Sequence, residues 1–255
     1  MPQFSRMAQN GNTWQISSKK TFCPFPAPLD NTFVKQTLDF AFAMTFGNKG
    51  EHRDHRSGGG LHRKKGEIFA NTFQGKLAEF ALYVLLRKHF PGIPAPDLSA
   101  YGLGAWDDSD FSINSKLISV KSTKSFGNLL LLETADWDTD GNYIPNLEKG
   151  HASYDFSVLL RMNPFCEEIL RKNRLFYSND IAKPVLESLL LNNVSWQYDV
   201  PGFVTREQLQ EIIRERYVIP RGAFLNGKTR MDAENYYIQA GDMTPFEQIV
   251  DLIRR

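Results

Sequence analysis

Cysteine is scarce: Cys23 and Cys166 are the only two in 255 residues. That is too few for a disulfide framework or a four-thiolate zinc site, and a chain of this size can build a core without such staples. Long apolar runs are also missing. No stretch approaches the ~18 apolar residues of a membrane span. The first twenty residues are polar and lack the apolar region of a signal peptide, so a cytoplasmic protein without membrane association is expected. Neither sign of charge dominates. Thirty Lys and Arg against 29 Asp and Glu leave a net +1, which argues neither for nor against nucleic acid and confines any basic surface to local patches. There is no internal repeat and no Gly-rich phosphate loop ending in Lys-Ser or Lys-Thr, so ATP dependence has no support.

What is present is ordinary for a folded globular chain: 42% apolar, 23% charged and 13% aromatic residues. Residues 1–255 read as one domain, with 1–29 as an extended N-terminal arm, 30–165 as the core and 166–255 completing the fold. Pro24, Pro26 and Pro28 set off the arm, and the ordered fold is expected to start near Asp30. Phe33, Val34, Thr37, Leu38, Ala41 and Met44 recur at helical spacing, with Asp30 or Asn31 as cap and Gly47 as stop. Between Lys49 and Lys65 lies a basic loop with Arg53, Arg56, Arg63, Lys64 and three histidines around a glycine run. His52, His55 and His62 lack a fourth zinc ligand in suitable company. A long apolar stripe from Ile68 to Leu85 predicts a central helix ended by Pro91 and Gly92.

Asp108–Ile113 and Lys116–Lys121 alternate around Asn114-Ser115 and predict a β-hairpin. Leu129–Leu132 reads as core, Tyr154–Met162 as a buried strand, and Val204–Tyr217 as a helix with a Thr205/Gln208 capping box. Helices and strands interleave, so the expected fold is α/β (α+β), a mixed central β-sheet flanked by helices on both sides.

The hairpin carries the chemistry. With the turn centred between Asn114 and Ser115, opposed residues sum to 229, so Asp110 faces Ser119 and Asp108 faces Lys121. Alternation then gathers these four polar residues on one face and Phe111, Ile113, Ile118 and Val120 on the other. Two carboxylates beside a lysine suit a hard divalent cation, and a charged outer face on a half-exposed hairpin is the plainer reading. The preceding helix adds Glu79, a carboxylate among apolar residues that needs either a metal or a simple partner such as Lys76.

In this order (Glu79 on a helix, Ser109-Asp110 at a strand start, Ser119-Val120-Lys121 at the end of the next) the chain resembles the PD-(D/E)xK nuclease superfamily, and more closely its type II restriction endonucleases. The resemblance spans roughly Gly75 to Glu133. It implies a restriction-endonuclease-like core, Mg²⁺ as cofactor, Asp110 and Glu79 as metal ligands and Lys121 assisting the attacking water. It further implies a homodimer on double-stranded DNA, and a cognate DNA methyltransferase as a separate protein.

Ser109 stands where the family has Pro. Ser119 stands where it usually has Asp or Glu. The missing ligand is open between Glu133, twelve residues beyond Lys121, and Asp108; alternatively Ser119 acts indirectly and Glu79 completes the site. Pro96-Asp97 also fits the motif literally, but no strand pattern follows it and Asp97 reads as a turn residue. DNA contacts are expected from Arg53, Arg56, Arg63 and Lys64, from Lys124, Ser125 and Asn128 just after the proposed catalytic Lys121, and from Arg221, Lys228 and Arg230. Cys166, beside Glu167 and Glu168, is not expected to be a nucleophile.

Overall fold

The chain is packed from its first described residue. Phe4 and Met7 are buried, and β1 (Ala8–Asn10) and β2 (Thr13–Gln15) form a hairpin before the proline segment. The computed structural model describes residues 4–47, 63–99, 109–149 and 152–255. An ordered start near Asp30 is thereby corrected. The arm is extended but docked, because its backbone finds partners that lie far along the chain: Cys23 N–H donates to Asp199, Phe25 N–H to the Tyr198 carbonyl and Leu29 N–H to the Trp196 carbonyl.

Asp30 then caps α1 (Asn31–Phe46), its side chain accepting the Thr32 N–H at 2.7 Å, and Gly47 ends it, as the sequence predicts. The second helix, α2 (Lys65–Leu86), has no side-chain cap. Its first turn is instead satisfied from elsewhere, Gly66 N–H donating to the Ser178 carbonyl at 2.8 Å. Residue 66 must be glycine, since a Cβ there would lie 2.2 Å from the Leu175 carbonyl oxygen.

The strands β3 (Phe111–Ile113), β4 (Lys116–Lys124) and β5 (Leu129–Glu133) follow. After them come β6 (Phe156–Asn163), α3 (Cys166–Lys172), α4 (Lys183–Leu191), β7 (Gln197–Thr205) and α5 (Arg206–Arg214). The C-terminal part adds β8 (Val218–Ile219), β9 (Phe224–Leu225), β10 (Thr229–Arg230), β11 (Asn235–Gln239) and α6 (Ile249–Arg254). Thr205 and Gln208 make the expected reciprocal capping box on α5.

The described residues form a mixed α+β fold with three sheets. The central one runs β3-β4-β6-β7, with β4 and β6 parallel and the outer pairings antiparallel. One face buries Phe111, Ile113, Ile118, Val158 and Leu160 against Leu38 of α1 and Phe73, Leu77 and Phe80 of α2. The other packs Leu159 and Val204 against Leu209 and Ile212 of α5 and against Leu130, Leu132 and Ile238 of the second sheet, β5-β11-β8. The third sheet, β1-β2-β9-β10, joins the N-terminal arm to the C-terminal part through the parallel pair β2–β9. No described helix is long and apolar enough to cross a membrane.

Candidate active site

The hairpin has the register the sequence dictates. Phe111 pairs with Ile118, Ser112 with Leu117 and Ile113 with Lys116, while Asn114 and Ser115 turn at φ 50° and 63°. Phe111, Ile113 and Ile118 face α2, whereas Leu117 packs on the opposite side of the sheet. Alternation along β4 puts Ser119 and Lys121 on Leu117's side.

Asp110 stands one residue ahead of β3, at the sheet edge. In a continued ladder the Val120 N–H would meet the Ser109 carbonyl; instead Asp110 Oδ2 accepts it at 2.5 Å. The end of the strand thus fixes the carboxylate. Burial raises the Asp110 carboxyl above its usual pKa, opposed by the positive charge of Lys121, the Val120 N–H and the charge of Lys76. Asp110 is therefore reached by a cation from each side of the sheet.

Glu79 comes to the same place from α2. It is 9% exposed, and its Oε2 lies 2.6 Å from the Lys76 ammonium. The Lys76 ion pair expected as the plainer reading is thus present. Glu79, Lys76 and Asp110 line one cavity of about 220 Å³, together with Asn71, Gly75, Asp97 and Ser99. Asp97 does hold a turn, accepting the Ser99 N–H at 2.7 Å, yet it also brings a third carboxylate to the cavity wall. Sequence reasoning set it aside. The usable signals were the literal Pro96-Asp97 pair and the polar stripe Asn71, Gly75, Glu79, which interrupts an apolar helix at four-residue intervals.

The remaining expected residues divide. Ser119 is 2% exposed, level with the buried Ser157 on β6. Lys121 holds its ammonium 6.0 Å from the centre of the Tyr143 ring. Glu133 ends β5 opposite Asn235 in the second sheet and does not line the cavity. Asp108, Arg53 and Arg56 lie outside the described residues. Arg63 and Lys64 directly precede α2.

Lys124 sits between Glu167 at 3.5 Å and Glu168 at 3.8 Å, and Asn128 Oδ1 accepts the Lys20 N–H at 2.8 Å, so both have structural partners. Ser125 and the exposed Phe126 lie in the turn between them. Arg221, Lys228 and Arg230 are exposed around β9 and β10. Cys166 is buried, and burial with the charge of Glu167 pushes its thiol up, in keeping with an inert side chain. Among the described residues, no three His, Cys, Asp or Glu side chains converge as a metal-binding group.

Compared with known proteins, the chain matches no family model, no curated protein and no solved structure. Its likeness to restriction endonucleases rests on its own residues.

Proposed function

We propose that the protein is a Mg²⁺-dependent type II restriction endonuclease that hydrolyses phosphodiester bonds in double-stranded DNA at a short specific sequence. One observation carries this reading. A carboxylate fixed at a strand start, Asp110, is acted on by Lys121 of the next strand and shares a cavity with Glu79 of the preceding helix.

The donor set fits the ion. Mg²⁺ is a hard cation that keeps several waters and takes one or two carboxylates plus substrate phosphates, so it does not require three converging protein ligands. Asp110 Oδ1 and Glu79 would hold it. Bound there, it would supply charge stabilisation at the phosphate and lower the pKa of a water. The rest falls to the chain's own groups. Lys121 orients the attacking water and offsets charge building on the phosphate oxygens, a role that a flexible, strongly hydrated ammonium suits. Lys76 holds Glu79 in place and favours the ionised form of Asp110. A palindromic site would be met by a homodimer whose two-fold axis matches that of the duplex. The cytoplasm and a separate methyltransferase partner belong to the same reading.

A second reading, a DNA-binding protein with a degenerate nuclease core, is favoured by the buried hydroxyl of Ser119 where a carboxylate ligand is expected. A third is a structure-specific repair nuclease on the same fold. A digest of unmethylated phage DNA separates them, run with Mg²⁺, with chelator, and with Lys121→Ala. The endonuclease gives a discrete fragment ladder that needs Mg²⁺, and the variant cuts at least 100-fold more slowly, as expected for loss of charge stabilisation. Intact DNA with wild-type protein in Mg²⁺ overturns the endonuclease reading, and fragments without discrete ends point to the repair nuclease.

A further inference from the structure

The balance of 30 basic against 29 acidic residues conceals a segregation. Residues 4–29 contain Arg6, Lys19 and Lys20 and no Asp or Glu, and residues 216–231 contain Arg216, Arg221, Lys228 and Arg230 and again none. These two segments build the third sheet, where β2 lies parallel to β9. Folding therefore gathers on one small sheet seven cations that the sequence keeps some two hundred residues apart.

The register orders that sheet's outer face. Trp14 pairs with Leu225, and both pack inward toward Met7, Ala223 and Tyr237. The next residues must point outward. Asn10 pairs with Thr13, Thr13 with Phe224 and Phe224 with Arg230, one row across all four strands. At ~4.8 Å between strands the row is about 14 Å long. Phe224 is 40% exposed, and Arg221, Lys228 and Arg230 make no ion pair with any described residue.

We propose that this outward face is the surface that reads duplex DNA, with Arg230, Phe224, Thr13 and Asn10 toward base edges and Lys228 and Arg221 on the phosphates. The side chains match the groove chemistry. Arg pairs with guanine O6 and N7, Asn with adenine N6 and N7, and Thr and Phe lie against thymine methyl groups; the major groove is ~12 Å wide. Strand-borne side chains read DNA in this way. A single-strand platform would instead present a succession of exposed aromatics, whereas Phe224 stands alone in this row. Duplex RNA closes its major groove to side chains. The inference deepens the endonuclease reading by naming its specificity element, and it enlists the N-terminal hairpin.

Fluorescence anisotropy of a labelled 30-base-pair random-sequence duplex, with the full chain and chelator, separates the two. The expected result is that Arg221→Ala/Lys228→Ala/Arg230→Ala binds at least tenfold more weakly than wild type, with a log–log salt slope shallower by roughly three, close to one per lost phosphate contact. Lys172→Ala, an exposed charge on α3, serves as the control and binds as wild type does. Selection from a random duplex pool by Arg230→Ala and by Asn10→Ala relaxes the preference at one position each. All variants change exposed side chains, and their thermal melting verifies folding. Wild-type binding with an unaltered triple variant overturns this surface and leaves the endonuclease reading standing. Tighter binding of single strands than of duplex overturns it too, and no duplex binding by wild type overturns both.

Discussion

Asp110 is held in conflict: its surroundings resist its charge, and the two lysines and the Val120 N–H that favour the charge do not fully offset that resistance. Its folded pKa lies above the unfolded value, so the folded chain holds the proton more tightly, and stability falls as the pH rises from the unfolded value through the folded one. Asn at this position keeps an oxygen for the Val120 N–H and carries no charge. Asp110→Asn is therefore expected to abolish cleavage while raising stability at pH 7 by about 1 kcal/mol, the kind of gain found when a functional strain is removed. The gap should close as the pH falls below the ordinary carboxylate range. Urea unfolding at pH 7 and at low pH tests this, and a variant less stable than wild type at neutral pH would refute it. The same residue was legible in the sequence, because pairing across a two-residue turn is local. Asp97 was not, since its approach to Glu79 and Asp110 depends on how a proline-rich connection crosses α2.

Elements were legible where their signals are near neighbours. Asp30 and Gly47 bound α1, Thr205 and Gln208 open α5, and both helices stand where these residues put them. The start of α2 carries no such signal, since Lys64 contributes no capping side chain. Its helix begins at the Ser178 carbonyl, more than a hundred residues on. Gly66→Ala tests that contact. Alanine would gain up to ~1 kcal/mol of helix propensity. Its Cβ, however, would meet the backbone oxygens of Leu175 at 2.2 Å and Phe176 at 2.7 Å, which no rotamer relieves. Overpacking of this kind costs ~1–3 kcal/mol or more, so a net loss and a lower melting temperature are expected. An unchanged melting temperature would mean that the 175–178 segment does not hold the start of α2.

Across the whole molecule the arm is held by a buried ion pair. Arg161 of β6 is 1% exposed, bonds Asp199 through Nε at 2.8 Å and Nη2 at 2.5 Å, and donates to the carbonyls of Lys20 and Thr21. Asp199→Ala would leave that guanidinium buried without its counter-charge, a loss of ~3–5 kcal/mol. Arg161→Met with Asp199→Leu removes both charges and is expected to recover most of the melting temperature. It should still free the arm, seen as faster proteolysis within residues 19–23 than in wild type. Equal resistance to protease would show that the arm is held by its other contacts. None of this was legible beforehand. Pro24, Pro26 and Pro28 announce an extended segment, and nothing local says where it docks.

The places where the arm docks have a consequence for how the chain is made. Segment 4–29 leaves the ribosome first, but Ser5 bonds Asp242, Ser17 bonds Gln239, and β2 pairs with β9. Every one of these partners is synthesised after four-fifths of the chain. The core of α1, α2 and the central sheet can assemble during translation, while the earliest residues wait with their backbone groups hydrated. The N-terminus thus becomes the last piece to settle, and the nascent protein acquires its third sheet only as translation ends.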